Sequence, residues 1–310
     1  MPQFKNLGRV FHLPPSGERS TTHAQVPTVL VKDSVIRVYY AARNAQGKSY
    51  PVYFDVARSN PMHIVNRSDQ PIMNYGAPGT FDDEGIMPAC IVEQEDAIWI
   101  YYSGWNQRVS VPYHNSTGLA VSHDGGDNFT RMFEGPILDR TPTEPYLAVT
   151  PSVVKENGLW HIWYISGLRW QKIGEKYEPV YVIKYASSPD GIHWQRDNIQ
   201  CIAQNHPLEA FSHPSVIKRD DTYHMWFCYR HSEDYRDGKG SYRIGYATST
   251  DGKNWHRNDA ESGLNASGEE WDSLMQCYPY VFEVDKKTYM FYNGNGFGQA
   301  GIGLAELVAW

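Results

Sequence analysis

The feature of this 310-residue chain that most restricts its fold is a unit that returns five times along nearly its whole length. Each return opens on a proline and a short β-rich run: Pro27-Thr28-Val29-Leu30, Pro88-Ala89-Cys90-Ile91, Pro151-Ser152-Val153-Val154, Pro214-Ser215-Val216-Ile217 and Pro279-Tyr280-Val281-Phe282. A polar turn and an aromatic run follow, namely Arg37-Val38-Tyr39-Tyr40, Trp99-Ile100-Tyr101-Tyr102, His161-Ile162-Trp163-Tyr164, His224-Met225-Trp226-Phe227 and Tyr289-Met290-Phe291-Tyr292. Runs of this composition between turn formers are strands. A third strand, such as Ile183-Lys184-Tyr185-Ala186, leads in three units into an Asp-Gly turn: Asp124-Gly125, Asp190-Gly191 and Asp251-Gly252. Both residues accept positive φ, so turn chemistry alone accounts for these aspartates.

Four strands per unit, repeated radially, is the signature of a β-propeller. The last unit stops at its third strand, around Gly303-Leu304-Ala305, while Phe4-Lys5-Asn6-Leu7 resembles the fourth strands that follow the turns, such as Trp194-Gln195-Arg196. The expectation is an all-β fold: one domain over residues 1–310, a five-bladed propeller whose ring the N-terminal strand closes.

Net charge and cysteine pattern remove several function classes. A net charge of -7 with no long basic run does not supply the cationic footprint that nucleic acid requires. Cys90, Cys201, Cys228 and Cys277 form no CxxC pair, so they are taken as buried thiols rather than zinc ligands or a disulfide framework. No metal-ligand spacing stands out, and no cofactor is expected. No apolar run has the length of a signal peptide or a bilayer span, and the expected compartment is the cytoplasm.

In an up-and-down blade the two sets of connections lie on opposite faces. Here one set is short and polar, whereas residues 105–116, 168–179, 230–241 and 293–299 form long connections of the kind that carry binding and catalysis. The segments ahead of each proline should line the channel on that face. They hold His23 and Gln25; Asp82, Asp83 and Glu84; Glu144 and Thr150; Glu209, Ser212 and His213; Asp272 and Gln276. Cleavage of a glycosidic bond needs one carboxyl to protonate the leaving oxygen and another to attack or to activate water. Asp82, Asp83, Glu209 and Asp272 are the catalytic candidates, with structural ion pairing as the alternative role. The expected substrate contacts are His23, Gln25, Arg43, Glu84, Trp105, Arg169, His213, Arg230, Gln276 and Asn295. The two histidines serve either as proton donors or as buried hydrogen-bonding groups. Arg43 and Arg230 occupy matching places in their repeats, with Arg169 close to the same place. These arginines either neutralise carboxylates or recognise a phosphate, nucleotide diphosphate or sugar carboxylate.

The proline-headed inner strands, the aromatic second strands and the form from Tyr185 to Trp194, repeated from Tyr246 to Trp255, resemble the superfamily of five-bladed propeller glycosidases. That superfamily includes arabinanases, β-xylosidases, invertases and levansucrases, together with mannoside phosphorylases. The chain looks most similar to glycosidase-like proteins of bacterial surface-polysaccharide loci. The resemblance implies a glycoside hydrolase acting on a carbohydrate or sugar conjugate. Its alternatives are a transferase or phosphorylase acting on a phosphorylated or nucleotide-linked sugar, or a non-catalytic carbohydrate-binding propeller. The sequence departs from the family at Val26, where the arabinanase and xylosidase group places an aspartate before the first proline. The invertase motifs are also missing, so no catalytic triad is carried over.

Overall fold

The computed structural model describes residues 1–13, 22–68, 70–236 and 239–310; residues 237 and 238 of the long connection 230–241 lie outside this range. The strands, numbered in chain order, form antiparallel groups. The first contains β2 (Gln25–Val31), β3 (Val35–Arg43), β4 (Ser49–Ala57) and β5 (Asn60–Ser68), and the second β6 (Gly85–Glu93), β7 (Ile98–Gln107), β8 (Tyr113–Ser122) and β9 (Thr130–Arg131). The third contains β10 (Ala148–Glu156), β11 (Leu159–Ile173), β12 (Lys176–Ser188) and β13 (Gln195–Gln200), and the fourth β14 (Glu209–Arg219), β15 (Thr222–His231), β16 (Arg243–Ser249) and β17 (His256–Arg257). The fifth takes β18 (Cys277–Val284), β19 (Lys287–Asn293) and β20 (Ile302–Ala309) and adds the N-terminal β1 (Gln3–Phe11), in the order β1-β20-β19-β18. Among the described residues there is no α-helix, and no helix is long and apolar enough to cross a membrane. The fold is all-β and propeller-like.

The first strands pack on one another in the cycle β2, β6, β10, β14, β18 and back to β2. The second strands carry the core. Successive side chains of a strand point to opposite faces, and these strands are covered on both, so each aromatic pair fills two interfaces. Tyr39/Tyr40, Tyr101/Tyr102, Trp163/Tyr164 and Trp226/Phe227 are all fully buried. A buried phenol or indole needs a hydrogen-bond partner. The first member of each pair finds it across the group boundary: Tyr39 Oη donates to Gly126 O (2.7 Å), Tyr101 Oη to Gly191 O (2.9 Å), Trp163 Nε1 to Gly252 O (2.7 Å) and Trp226 Nε1 to Ser262 O (2.9 Å). The Asp-Gly turns are thus structural on two counts. They receive the first three of these bonds, and Asp124, Asp190 and Asp251 Oδ1 each accept a serine hydroxyl at 2.7–2.9 Å and later turn amides.

One connection differs from expectation. Residues 168–179 are mostly strand, because β11 and β12 run on as a long hairpin, paired as far as Ile173 with Lys176. The four cysteines are buried and free.

Candidate functional site

A cavity of about 420 Å³ opens among the groups and receives a side chain from the residue immediately before each repeated proline: Val26, Met87, Thr150, His213 and Tyr278. Four of these five have left-handed backbones, Val26 at φ 52°, Thr150 at 53°, His213 at 49° and Tyr278 at 55°. A residue preceding proline is ordinarily held in the extended region, so each such residue is strained. Every first strand also slips register at this point, between Gln25 and Thr28, Pro88 and Cys90, Val149 and Ser152, Ser212 and Ser215, and Cys277 and Tyr280. Bulges of this kind re-aim side chains beside functional sites.

The remaining wall is aromatic and cationic. Tyr113, Tyr181, Tyr235, Tyr242 and Tyr278 line it together with Arg43, Arg230, Arg236, His23 and Trp105. Tyr181 and Tyr242 share a hydroxyl–hydroxyl bond of 2.9 Å, and Arg230 Nε donates to Tyr242 Oη at 3.2 Å. Tyr235 Oη donates to Glu178 Oε2 at 2.5 Å, and Arg236 pairs with the same carboxylate at 3.1 Å. Trp105 donates its indole N–H to Ser49 Oγ at 2.7 Å, a reach that Gly85 permits because a β-carbon there would overlap the indole nitrogen. Burial, reinforced by the charge of Arg43, lowers His23 to about 4. Burial lowers His213 to about 3. Both imidazoles are therefore neutral near pH 7.

Of the residues singled out from sequence, His23, Gln25, Arg43, Trp105, His213 and Arg230 line the cavity. Arg169 instead bonds Gln171 and the Pro207 carbonyl, Glu84 pairs with Lys48, Gln276 bonds Asp272, and Asn295 accepts the amides of Leu274 and Met275. The catalytic candidates Asp82, Asp83, Glu209 and Asp272 do not line it. Three of them serve a repeated latch. Asp82 meets Arg131 (2.7 Å) and Tyr102 Oη (3.0 Å), Glu144 meets Arg196 (2.9 Å) and Tyr164 Oη (3.0 Å), and Glu209 meets Arg257 (2.7 Å). In the fifth group Asp272 accepts Tyr292 Oη at 3.0 Å, and Asn6 of β1 donates to that same hydroxyl at 2.7 Å. Asp82 and Glu144, ahead of first strands, and Glu209, at the start of β14, are thus tied to the outermost strand of their own group, while Asp272 reaches β1 through Tyr292 and Asn6. Asp83 Oδ2 accepts the Gly79 amide at 2.7 Å, and its Oδ1 is buried without a hydrogen-bond partner. Among the described residues no cluster of three or more His, Cys, Asp or Glu side chains is placed to hold a metal.

The wall tyrosines and Arg236 escaped sequence reasoning because they come from unlike places: Tyr113 and Tyr181 lie in third strands, Tyr278 in a first strand, and Tyr235, Arg236 and Tyr242 in a connection. The latch left a readable signal. An aromatic residue, any residue and then arginine recur as Phe129-Thr130-Arg131, Trp194-Gln195-Arg196 and Trp255-His256-Arg257, with Phe4-Lys5-Asn6 as the N-terminal form.

His213 gives a test of burial. The unfolded chain takes up this proton near pH 6.5, whereas the folded chain resists until about pH 3, so stability falls as pH drops below 6.5. The slope should be ~1.4 kcal/mol per pH unit. Urea denaturation at pH 7 and pH 5 is expected to give a smaller difference for His213→Phe than for wild type; equal differences would count against a buried neutral imidazole.

The fold is that of propeller glycoside hydrolases. One solved glycoside hydrolase superposes with a TM-score of 0.72 at 18% identity, covering 98% of this chain and 92% of that one. A glycosyl hydrolase from Bacteroides ovatus gives 0.67 at 15% identity, covering 99% and 90%. No family model matches the chain. The uncharacterized protein Rv1502 of Mycobacterium tuberculosis (strain ATCC 25618 / H37Rv) is 35% identical over 311 residues, 98% of this chain and 99% of that protein, and the chain belongs to its family. A β-1,2-mannobiose phosphorylase of Thermoanaerobacter sp. (strain X514) is 30% identical over 136 residues, 41% of this chain and 44% of that enzyme.

Proposed function

We propose that the chain is a carbohydrate-active enzyme that breaks a glycosidic bond in the central cavity, with hydrolysis as the leading reaction. The observation that carries this reading is the convergence of five pre-proline side chains, four on strained backbone, upon one aromatic-walled cavity in a glycosidase fold. The five strand groups are read as five blades of a closed ring, with β1 as the outer strand of the last. The cyclic packing of the first strands and the antiparallel pairing of β1 with β20 support that reading.

Asp82, Glu209 and Asp272 are engaged in latches, so the proposal assigns proton transfer to the Tyr235–Glu178 pair. Glu178 is the carboxylate that bonds a wall hydroxyl directly, and Arg236 holds it in place. Tyr235 Oη gives its proton to the glycosidic oxygen as the bond to the anomeric carbon breaks, water adds to that carbon, and the proton the water releases returns by way of Glu178 to the phenolate.

A panel of aryl glycosides and oligosaccharides tests the reading. Turnover by wild type is expected, with kcat lowered ~100-fold or more in Tyr235→Phe and Glu178→Gln, both still folded. Wild-type rates in both variants would remove the pair from the mechanism. Sugar binding with no turnover anywhere on the panel would instead make the protein a carbohydrate-binding propeller.

A further inference from the structure

A second cavity, of about 300 Å³, opens beside the central one where the first strand group meets the segment leading into the second. It is lined by Asn44, Tyr50, Pro71, Met73, Asn74 and Tyr75. Tyr50 and Met73 are buried and Tyr75 is half-buried, so two aromatic rings, a thioether and a pyrrolidine supply apolar surface while two carboxamides supply the polar groups. No charged side chain lines it. Lys48, whose ammonium lies 5.6 Å from the centre of the Tyr75 ring, is already paired with Glu84 at 3.2 Å.

The lining is fixed in advance. The Ile72 amide donates to Pro51 O of β4 at 2.9 Å, the Phe129 amide donates to Ile72 O at 2.8 Å, and the Arg131 guanidinium donates to Asn74 O at 2.7 Å, which together hold the segment 71–75 in place. Asn44 Oδ1 accepts the amides of Gln46 and Lys48, both at 3.0 Å. These bonds orient the carboxamide and leave its Nδ2 without a partner among the described residues; the Asn74 carboxamide has none either. The two cavities are also adjacent along the chain. Arg43 lines the central one and Asn44 the other, and the Cα atoms of consecutive residues stand about 3.8 Å apart. Ser49, which takes the indole bond of Trp105, likewise precedes Tyr50.

We propose that this second cavity is a subsite for a neutral sugar ring, a further unit of the glycan whose glycosidic bond lies in the central cavity. A sugar ring has apolar C–H faces that pack on tyrosine and methionine, and hydroxyl groups that use both the donor and the acceptor of a carboxamide. The uncharged lining disfavours an acidic unit, because a carboxylate held there would be buried without a partner. The subsite makes the substrate an oligosaccharide, and in that it rests on the glycosidic reading given above.

Binding of the full chain to an array of neutral and acidic monosaccharides and oligosaccharides tests it, with the tightest-bound oligosaccharide carried into titration calorimetry. A neutral oligosaccharide is expected to bind more tightly than its component monosaccharides, with affinity lowered ~10-fold or more by Tyr75→Ala and by Asn74→Ala. Asn44→Asp is the third variant: it keeps an acceptor for the Gln46 and Lys48 amides and removes the free donor. Asn74→Ala breaks no side-chain hydrogen bond of the described residues, and unchanged circular dichroism verifies that the fold is kept. Where the oligosaccharide is also cleaved, the loss should fall on KM rather than on kcat. Oligosaccharides that bind no better than monosaccharides, binding confined to acidic glycans, or wild-type affinity in Tyr75→Ala and Asn74→Ala overturns the subsite. Turnover that persists in that case leaves the enzymatic reading standing. Oligosaccharide binding that is lost in these variants, with no turnover by wild type, keeps the second sugar site and sinks the enzymatic reading.

Discussion

Exchange of Glu144 for glutamine should lower the unfolding free energy by about 3–5 kcal/mol, the loss that follows when one partner of a buried ion pair is left without the other. Arg196 is the stranded partner, its side chain only 10% exposed. Tyr164 and Ser166 also donate to this carboxylate, and Lys184 lies 3.5 Å away. Burial alone raises the Glu144 carboxyl, but Arg196, Ser166 and Lys184 together outweigh burial and hold it below the usual glutamate range. The stability it contributes is complete above the unfolded pKa and disappears as pH falls through the folded one. Guanidinium denaturation of wild type and Glu144→Gln from pH 7 to pH 3 should therefore give curves that converge on the acid side. A fixed gap across that range, or no gap at pH 7, would show that the latch carries no such weight. Asp83→Asn is the control: Asp83 makes no ion pair among the described residues, so its loss should be small. Glu209→Gln should cost less than Glu144→Gln, since Arg257 keeps Asp259, which it meets at 2.7 Å.

Removal of residues 1–11 is expected to prevent stable folding. β1 pairs along the whole of β20, from Gln3 with Ala309 to Phe11 with Ile302. Its two ends are anchored in different cores: Phe4 meets Trp226 edge-on at 5.7 Å, while Phe11 stacks on Phe54 at 4.5 Å and packs on Tyr40. Truncating a buried phenylalanine to alanine costs about 3–5 kcal/mol, and deletion removes both rings and bares the edge of β20. An uncovered edge strand pairs with other chains. Thermal melts and light scattering check this, with Phe11→Ala as the milder variant. A truncated chain that melts with the full one, or a silent Phe11→Ala, would show that β1 is dispensable.

Much of this organisation was legible in the sequence because it is periodic. The prolines, the aromatic pairs and the Asp-Gly turns recur at nearly fixed intervals, and each recurrence became an element in the place its pattern implied. The site was less legible. The segments ahead of the prolines offered Asp82, Glu209 and Asp272, but the bulge turns the last residue before the proline into the cavity, and those acids bond within their own groups. A sequence pattern of period two does not carry a left-handed residue such as His213 or Tyr278. Arg43 and Arg230 were readable because both stand at the end of a second strand. Tyr113 and Tyr235 were not, since one begins a third strand and the other belongs to a connection.

The hydrogen bonds that cross from each second strand to the next group's turn bear on the order in which the molecule is made. Tyr39 awaits Gly126, Tyr101 awaits Gly191 and Trp163 awaits Gly252, each about ninety residues later in synthesis. The first three groups thus do not complete their own bonding when their last strands leave the ribosome. Gln3–Phe11 has its partner in Ile302–Ala309, which leaves the ribosome after all the strands between them. Until Ile302–Ala309 emerges, the nascent chain therefore carries a strand without its partner.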